Sequence, residues 1–469
     1  MRNLLFATVV SFFCLALVVC GGGGNEGECD LANPNCADGL VCEATQDGKA
    51  QCFSPLTIKG TVIDAIDDAP IEDALVQAVD VNGAAVGTSA RTDSNGSFTL
   101  TVPATRDQEG SPVLDSYMLR AQAAGYQPFP TAIRPAIPLD ASVAQGNNDD
   151  GWTIESTLTV IKLLPLPGNT NTLGSISGTV LAADSSGVLV IAEGSGRGRP
   201  GFTNSDGEYT IFNVPAGSYT VVGYKAGVQL ETSDVTLTAS ENKTGVDLAE
   251  SSNPLSTVNG TIQIVNAPGG LTTSVVLAVD STFVEDAARG VVPPGLHASE
   301  IGSGAFTIED VPDGEYVVLA AFENDQLVRD PDQTIGGTSI VRITVPDPVS
   351  GNTVNLPESF KITEALEIFS PGADGPELVT SATPVFSFAN DTSEEGYEVH
   401  VFDAFGNEIW MTEIGPSSSS LDVQYAGPAL EDGMYYQFKA HSWRVKLDLR
   451  TPISATEDLK GVFYYSSNP

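Results

Sequence analysis

The chain of 469 residues has three histidines, His297, His400 and His441, and one opens the spacing of a zinc ligand pair, His297-Ala298-Ser299-Glu300. An imidazole and a carboxylate held close on one element bind a divalent ion when a second imidazole joins them, and His400 would have to supply it. The surroundings argue against this. His297 follows Val292-Pro293-Pro294-Gly295, a loop sequence, and His400 lies in an alternating, strand-like run. Two fixed positions in four residues also arise readily by chance. No metal site and no cofactor are expected. Nucleophile motifs fare no better. There is no GxSxG. Ser240-Glu241-Asn242-Lys243 and Thr244-Gly245 superpose SxxK and KTG on one lysine, where those motifs need separate elements. The 60 Asp and Glu residues offer many carboxylate pairs, but no helix or cleft fixes a separation for hydrolysis. No catalytic residue is assigned, and the chain reads as a non-enzyme.

Two features point to binding instead. Gly196-Arg197-Gly198-Arg199-Pro200 is a basic spot in an acidic chain, and Arg197 and Arg199 suit a phosphate or sulfate group unless the stretch is a plain inter-strand loop. Trp152, Trp410 and Trp443 are the only tryptophans. Trp152 follows the polar loop Asn147-Asn148-Asp149-Asp150-Gly151 and is the candidate for stacking on a sugar ring; core packing is the plainer role for such a residue.

The elements that would position these residues are strands. Ile58-Lys59-Gly60-Thr61-Val62, Ile176-Ser177-Gly178-Thr179-Val180 and Val258-Asn259-Gly260-Thr261-Ile262 repeat one phrase. A hairpin follows each: Asn95-Gly96-Ser97-Phe98, Asp206-Gly207-Glu208-Tyr209 and Ser303-Gly304-Ala305-Phe306. Asn-Gly and Asp-Gly tolerate positive φ at both central positions, which predicts type I′ turns. Asp93-Ser94-Asn95-Gly96 lacks the ligand series of a calcium loop, so turn chemistry is the reading. Val214-Pro215-Ala216-Gly217-Ser218-Tyr219 and Val311-Pro312-Asp313-Gly314-Glu315-Tyr316 then turn the chain into another strand. The first copy keeps Val102-Pro103 but inserts residues before Tyr117, and resumes at Ala124-Gly125-Tyr126.

On these motifs the three copies, 56–167, 174–250 and 255–358, resemble carboxypeptidase regulatory-like domains, which are small transthyretin-like sandwiches. The second fits best, and the third lacks Asp or Asn before Gly304. The resemblance implies a fold and no peptidase activity, since an α/β catalytic domain has no room here. Transthyretin-like sandwiches are also similar to some starch-binding domains. The last stretch, 361–469, contains Thr383-Pro384-Val385-Phe386-Ser387-Phe388 and Tyr397-Glu398-Val399-His400-Val401-Phe402, and is similar to a fibronectin type III domain.

Residues 1–19 read as a signal peptide, with Arg2 ahead of an apolar run. Leu17-Val18-Val19-Cys20 resembles a lipobox, which implies lipidation at Cys20; Val19 departs from the small residue usual there. Residues 20–28 then form a glycine-rich tether. Cys29, Cys36, Cys42 and Cys52 fill a Cys-rich module, 29–55, and predict two disulfides in one of three pairings. Zinc would want CxxC pairs or a nearby histidine. The net charge of −39 disfavours nucleic acid and anionic lipid as partners.

The expectation is an all-β chain of tandem immunoglobulin-like and transthyretin-like β-sandwiches after a small disulfide-rich module. It is expected to be a rod-like monomer of the cell envelope, anchored in the outer membrane only by its N-terminal lipid, on the periplasmic or the outer surface. The favoured role is a spacer, adhesion or protein-interaction arm whose partner is an envelope protein or polysaccharide. The alternative is a carbohydrate-binding lipoprotein.

Overall fold

A computed structural model describes residues 29–467 except 32–35, 38, 81–84, 114, 132, 135, 137, 195, 286–289, 323–324, 332–339 and 447. The expected signal peptide, Cys20 and the tether of 20–28 lie outside the described residues. Nearly all regular structure is β, and no described helix is long and apolar enough to cross a membrane.

The three repeats share one strand order. In the first, Leu56–Asp64 pairs antiparallel with the hairpin strand Ser97–Val102 and parallel with Gly151–Ile154 and Val160–Leu163. In the second, Gly174–Leu181 pairs likewise with Glu208–Val214, Asn242–Lys243 and Leu248–Ala249. In the third, Ser256–Ile264 pairs with Gly304–Val311, Thr353–Asn355 and Phe360–Glu364. A second sheet faces each of these, and apolar side chains alternating inward from both fill the space between. The fourth unit packs Ile368–Ser370, Val385–Phe388 and Leu421–Gln424 against a larger sheet centred on Gly396–Asp403 and Tyr435–Lys446. Its core is aromatic, with Phe386 stacked on Phe438 at 4.7 Å between ring centres.

Each opening strand carries its glycine for a steric reason. A Cβ on Gly60 would collide with the Thr159 carbonyl oxygen, and one on Gly178 with that of Val246. At Gly260 the collision is with the Phe306 ring. The hairpin aromatics Phe98, Tyr209 and Phe306 stand directly across from these three glycines and cover the gap a missing side chain leaves.

The hairpin turns correct the type I′ expectation. Only the glycine is left-handed, at φ +72° for Gly96 and +80° for Gly207. Gly96 N–H donates to the Asp93 carbonyl at 2.9 Å, and Asp93 N–H to that of Ser97 at 3.0 Å. This is a type I turn closed by a left-handed glycine. The Asp93 carboxylate accepts from the backbone of Asn95 and Ser97, both at 2.9 Å, and Asn204 does the same for Asp206 and Glu208. The residue three before the glycine therefore matters more than the one beside it. Asp107 and Asp403 build the same loop around Gly110 and Gly406.

The Pro-x-Gly-x-Tyr phrase is held by the tyrosine hydroxyl. Tyr219 donates to the Pro215 carbonyl and Tyr316 to that of Pro312, each at 2.9 Å. Tyr117 reaches back across the insertion of the first copy to make the same bond to Pro103.

That insertion fastens the Cys-rich module. The two disulfides are Cys29–Cys42 and Cys36–Cys52. Glu43, on the strand Val41–Ala44, meets Arg106 of the insertion at 2.6 Å, with side chains 4% and 0% exposed. Glu43 also accepts from Ala104 N–H at 2.9 Å, and Arg106 donates to the Ser54 carbonyl at 2.9 Å. Burial pushes the Glu43 carboxyl up, and Arg106 pulls it back.

The sandwiches do not lie in line. Asn213 of the second accepts from Gly125 N–H at 2.6 Å and donates to the Ala123 and Tyr126 carbonyls of the first. Arg120 of the first lies 3.4 Å over the Phe202 ring of the second. Second and third are joined by Tyr224 edge-on to Tyr316, and by Glu193, which accepts from Tyr224 and from Ser281 of the third, both at 2.9 Å. Third and fourth meet where Gln326 N–H donates to Glu457 at 2.6 Å and Ser454 to the Glu364 carbonyl at 3.0 Å. The fourth then returns to the first. Ala65, Ile133 and Leu164 are buried with the core of the fourth, Gln127 donates to the Ala404 carbonyl at 2.7 Å, and Arg134 lies 4.7 Å from the Tyr435 ring centre. This closure overturns the expected rod: the joints are continuous with the cores, so the chain curls back on itself.

Removing one partner of a buried pair strands the other charge, so Glu43→Ala is expected to cost about 3–5 kcal/mol in denaturant unfolding of the first sandwich. A cost under about 1 kcal/mol would show the pair to be solvated. Ile133→Asp places a charge in the contact between first and fourth sandwiches. It is expected to raise the radius of gyration in X-ray scattering while circular dichroism keeps its β signature; an unchanged radius would overturn the closure.

Candidate functional site

The sheet Gly396–Asp403, Glu408–Ile414, Tyr435–Lys446 has two faces. Val399, Val401, Phe438 and Ala440 point into the core. The alternate residues, Glu398, His400, Lys439 and His441, share the other face, as period two requires. Glu398 stands directly across from His441, and His400 across from Lys439. The result is a cluster in which ligand atoms of Glu398, His400 and His441 lie within 4.8 Å of one another.

Each member is oriented by a neighbour. His400 Nδ1 lies 2.7 Å from Glu408 Oε2 and donates to it, which turns Nε2 toward Glu398. Nε2 is buried, makes no hydrogen bond among the described residues, and lies 3.8 Å from Glu398 Oε2. The other Glu398 oxygen accepts from Arg450 at 2.7 Å, and Arg450 also binds Glu413. Lys439 pairs with Asp458 at 3.0 Å. Burial first, then the charges of His400 and Lys439, pull His441 down to about 4, so its imidazole is neutral at physiological pH.

In the sequence the HxxE spacing of His297 and Glu300, with His400 as distant ligand, reads as a chance match with no metal site. The structure places His297 at the exposed start of the strand His297–Ile301 in the third sandwich, and the group with His400 holds His441 and Glu398 instead. His441 was invisible as a partner because the pairing of two distant strands, and no local motif, brings it across from Glu398. Cys29, Cys36 and Cys52 also cluster, but their sulfurs are committed to disulfides.

The other candidates have structural neighbours. Arg197 donates through Nε to the Thr282 carbonyl at 3.2 Å, which places it in the joint between second and third sandwiches; burial holds its guanidinium below the usual range. Arg199 lines a crevice of about 60 Å³ in the joint between first and second, beside Gln122, Phe212 and Asn213. Trp152 is half-buried against the core of the first sandwich and donates to Asn148 at 3.1 Å. Trp410 packs edge-on to Tyr425 in the fourth core, and Trp443 lies under the Arg450 guanidinium at 4.0 Å. A larger cleft of about 590 Å³ opens between third and fourth sandwiches, lined by Asp330, Lys361, Asn390, Asp391, Arg444 and Ser454, polar and without an aromatic platform.

Among solved structures, the Bacillus anthracis TIE protein is similar over 93% of this chain and 76% of its own, at 12% identity and a TM-score of 0.16. A shaft pilin SpaA from Lactobacillus rhamnosus GG covers 46% of this chain and 100% of its own, at 12% identity and 0.18. A DUF3823 family protein from Bacteroides ovatus ATCC 8483 covers 45% and 99%, at 13% identity and 0.18. At such TM-scores these likenesses carry no weight for function. No curated protein matches the sequence. The third repeat shares the strand order of the first two but lies outside the residues that match a family. Residues 57–144 and 175–249, the first two sandwiches, match the carboxypeptidase regulatory-like domain.

Proposed function

We propose that this chain is a non-enzymatic cell-envelope lipoprotein whose sandwiches form one stiff body for adhesion or protein contact. The supporting observation is the closure of the first sandwich on the fourth through Ala65, Ile133, Leu164 and Gln127. An extended spacer gains nothing from such a contact. A body that presents fixed outer faces does, because ordering them beforehand lowers the entropy lost on binding. On this reading the fourth unit is a fibronectin type III-like domain, and Cys20 with its glycine tether holds the body to the outer membrane.

Two measurements test the reading. Cys20→Ser is expected to move the chain from the membrane fraction to the soluble fraction, with loss of radiolabelled fatty acid; full membrane retention would end the lipoprotein assignment. Bacteria displaying the full chain are expected to adhere to protein-coated surfaces, while a glycan array probed with and without calcium stays blank. A reproducible array hit lost in Trp152→Ala would transfer the function to carbohydrate binding in the first sandwich.

A further inference from the structure

The outer face of the fourth sandwich carries a donor set that neither adhesion nor core packing uses. Two imidazoles and a carboxylate converge there from neighbouring strands. One imidazole nitrogen, His400 Nε2, is buried with no hydrogen-bond partner among the described residues. We propose that Glu398, His400 and His441 form a binding site for a late first-row divalent ion, zinc above all.

Three observations support the assignment. The first is geometry. Ligand atoms 2.0–2.1 Å from a tetrahedral ion stand roughly 3.4 Å apart, and here His400 Nε2 and Glu398 Oε2 are 3.8 Å apart, with all three donors within 4.8 Å. Small side-chain rotations close that gap. The second is the support behind the donors. Glu408 on His400 Nδ1 is the carboxylate–histidine arrangement that orients a metal-ligating imidazole and strengthens it as a donor. The third is charge. Glu398 and Glu408 both face His400, and Arg450 bridges Glu398 to a third carboxylate, Glu413, so one cation serves several acids. Lys439, across the ladder from His400, is engaged by Asp458. The excess of negative charge suits a dication, and two imidazoles with one carboxylate favour zinc, nickel or copper over calcium or magnesium. Three protein donors leave a fourth position to water or to a group brought by a partner.

The test is metal binding by the purified full chain, stripped with chelator and then titrated with zinc sulfate against a chromophoric competitor. One zinc per chain is expected. His400→Ala and His441→Ala should abolish it, Glu408→Gln should weaken it by about 10–100-fold, and His297→Ala should leave it unchanged. No zinc above the dialysis control, or binding that survives His441→Ala, overturns the site, as does loss on His297→Ala. Because substitutions on a packed sheet can disturb folding, cobalt(II) added to the unmutated chain is the independent readout. A visible spectrum of tetrahedral or five-coordinate nitrogen ligation supports the site, and the spectrum of the free aqua ion overturns it.

Discussion

At Gly60 and Gly178 a backbone carbonyl from the returning end of the repeat occupies the place of a side chain. That approach is the constraint on which each sandwich depends. It lets a segment from the far end of the repeat lie parallel against the opening strand, so one strand is gripped from both sides by chain distant in sequence. The aromatic across the ladder then seals the slot, and at Tyr209 it does more, since its hydroxyl donates to the same Val246 carbonyl that excludes a Cβ at Gly178. The third copy keeps the glycine but replaces the carbonyl with the Phe306 ring and Leu356, a looser solution in the least regular repeat.

The same economy runs through the joints. Sandwich edges carry backbone groups that need partners when they are covered. Asn213, itself at φ +61°, supplies one acceptor and two donor contacts to the neighbouring unit from a single side chain. Glu193 gathers hydroxyls from both sides of the next joint. Among the described residues no carboxylate pairs with Arg120, which leans on the Phe202 face; burial draws its guanidinium down to about 9. Units in series are mobile unless their interfaces are large and apolar. Here Leu189, Ile191 and Tyr224 of the second sandwich are buried with the core of the third, so those interfaces are extensions of cores.

What could be read from the sequence follows from how local the cause is. The glycines, the hairpins and the Pro-to-Tyr phrase rest on contacts among residues close in sequence or repeated three times, and they announced the sandwiches. The turn type was misjudged because Asn95-Gly96 drew attention from Asp93, whose carboxylate sets the loop. Arg106 lay unremarked inside the first insertion, since nothing local shows that Glu43 will be folded onto it. The relation of His400 to His441 needed the register of two strands. The rod was inferred from modules in series, and series says nothing about whether the last module meets the first.

That meeting changes what a break in the chain would mean. Each sandwich touches two neighbours, so the units form a circuit rather than a string. A protease that cuts between two sandwiches separates them along the covalent path only. The severed ends stay held by the remaining contacts, at the high effective concentration of an intramolecular pair. Two cuts, or one cut and one lost joint, are needed before a piece can leave. Against proteolysis, the circuit is a form of redundancy that no single sandwich possesses.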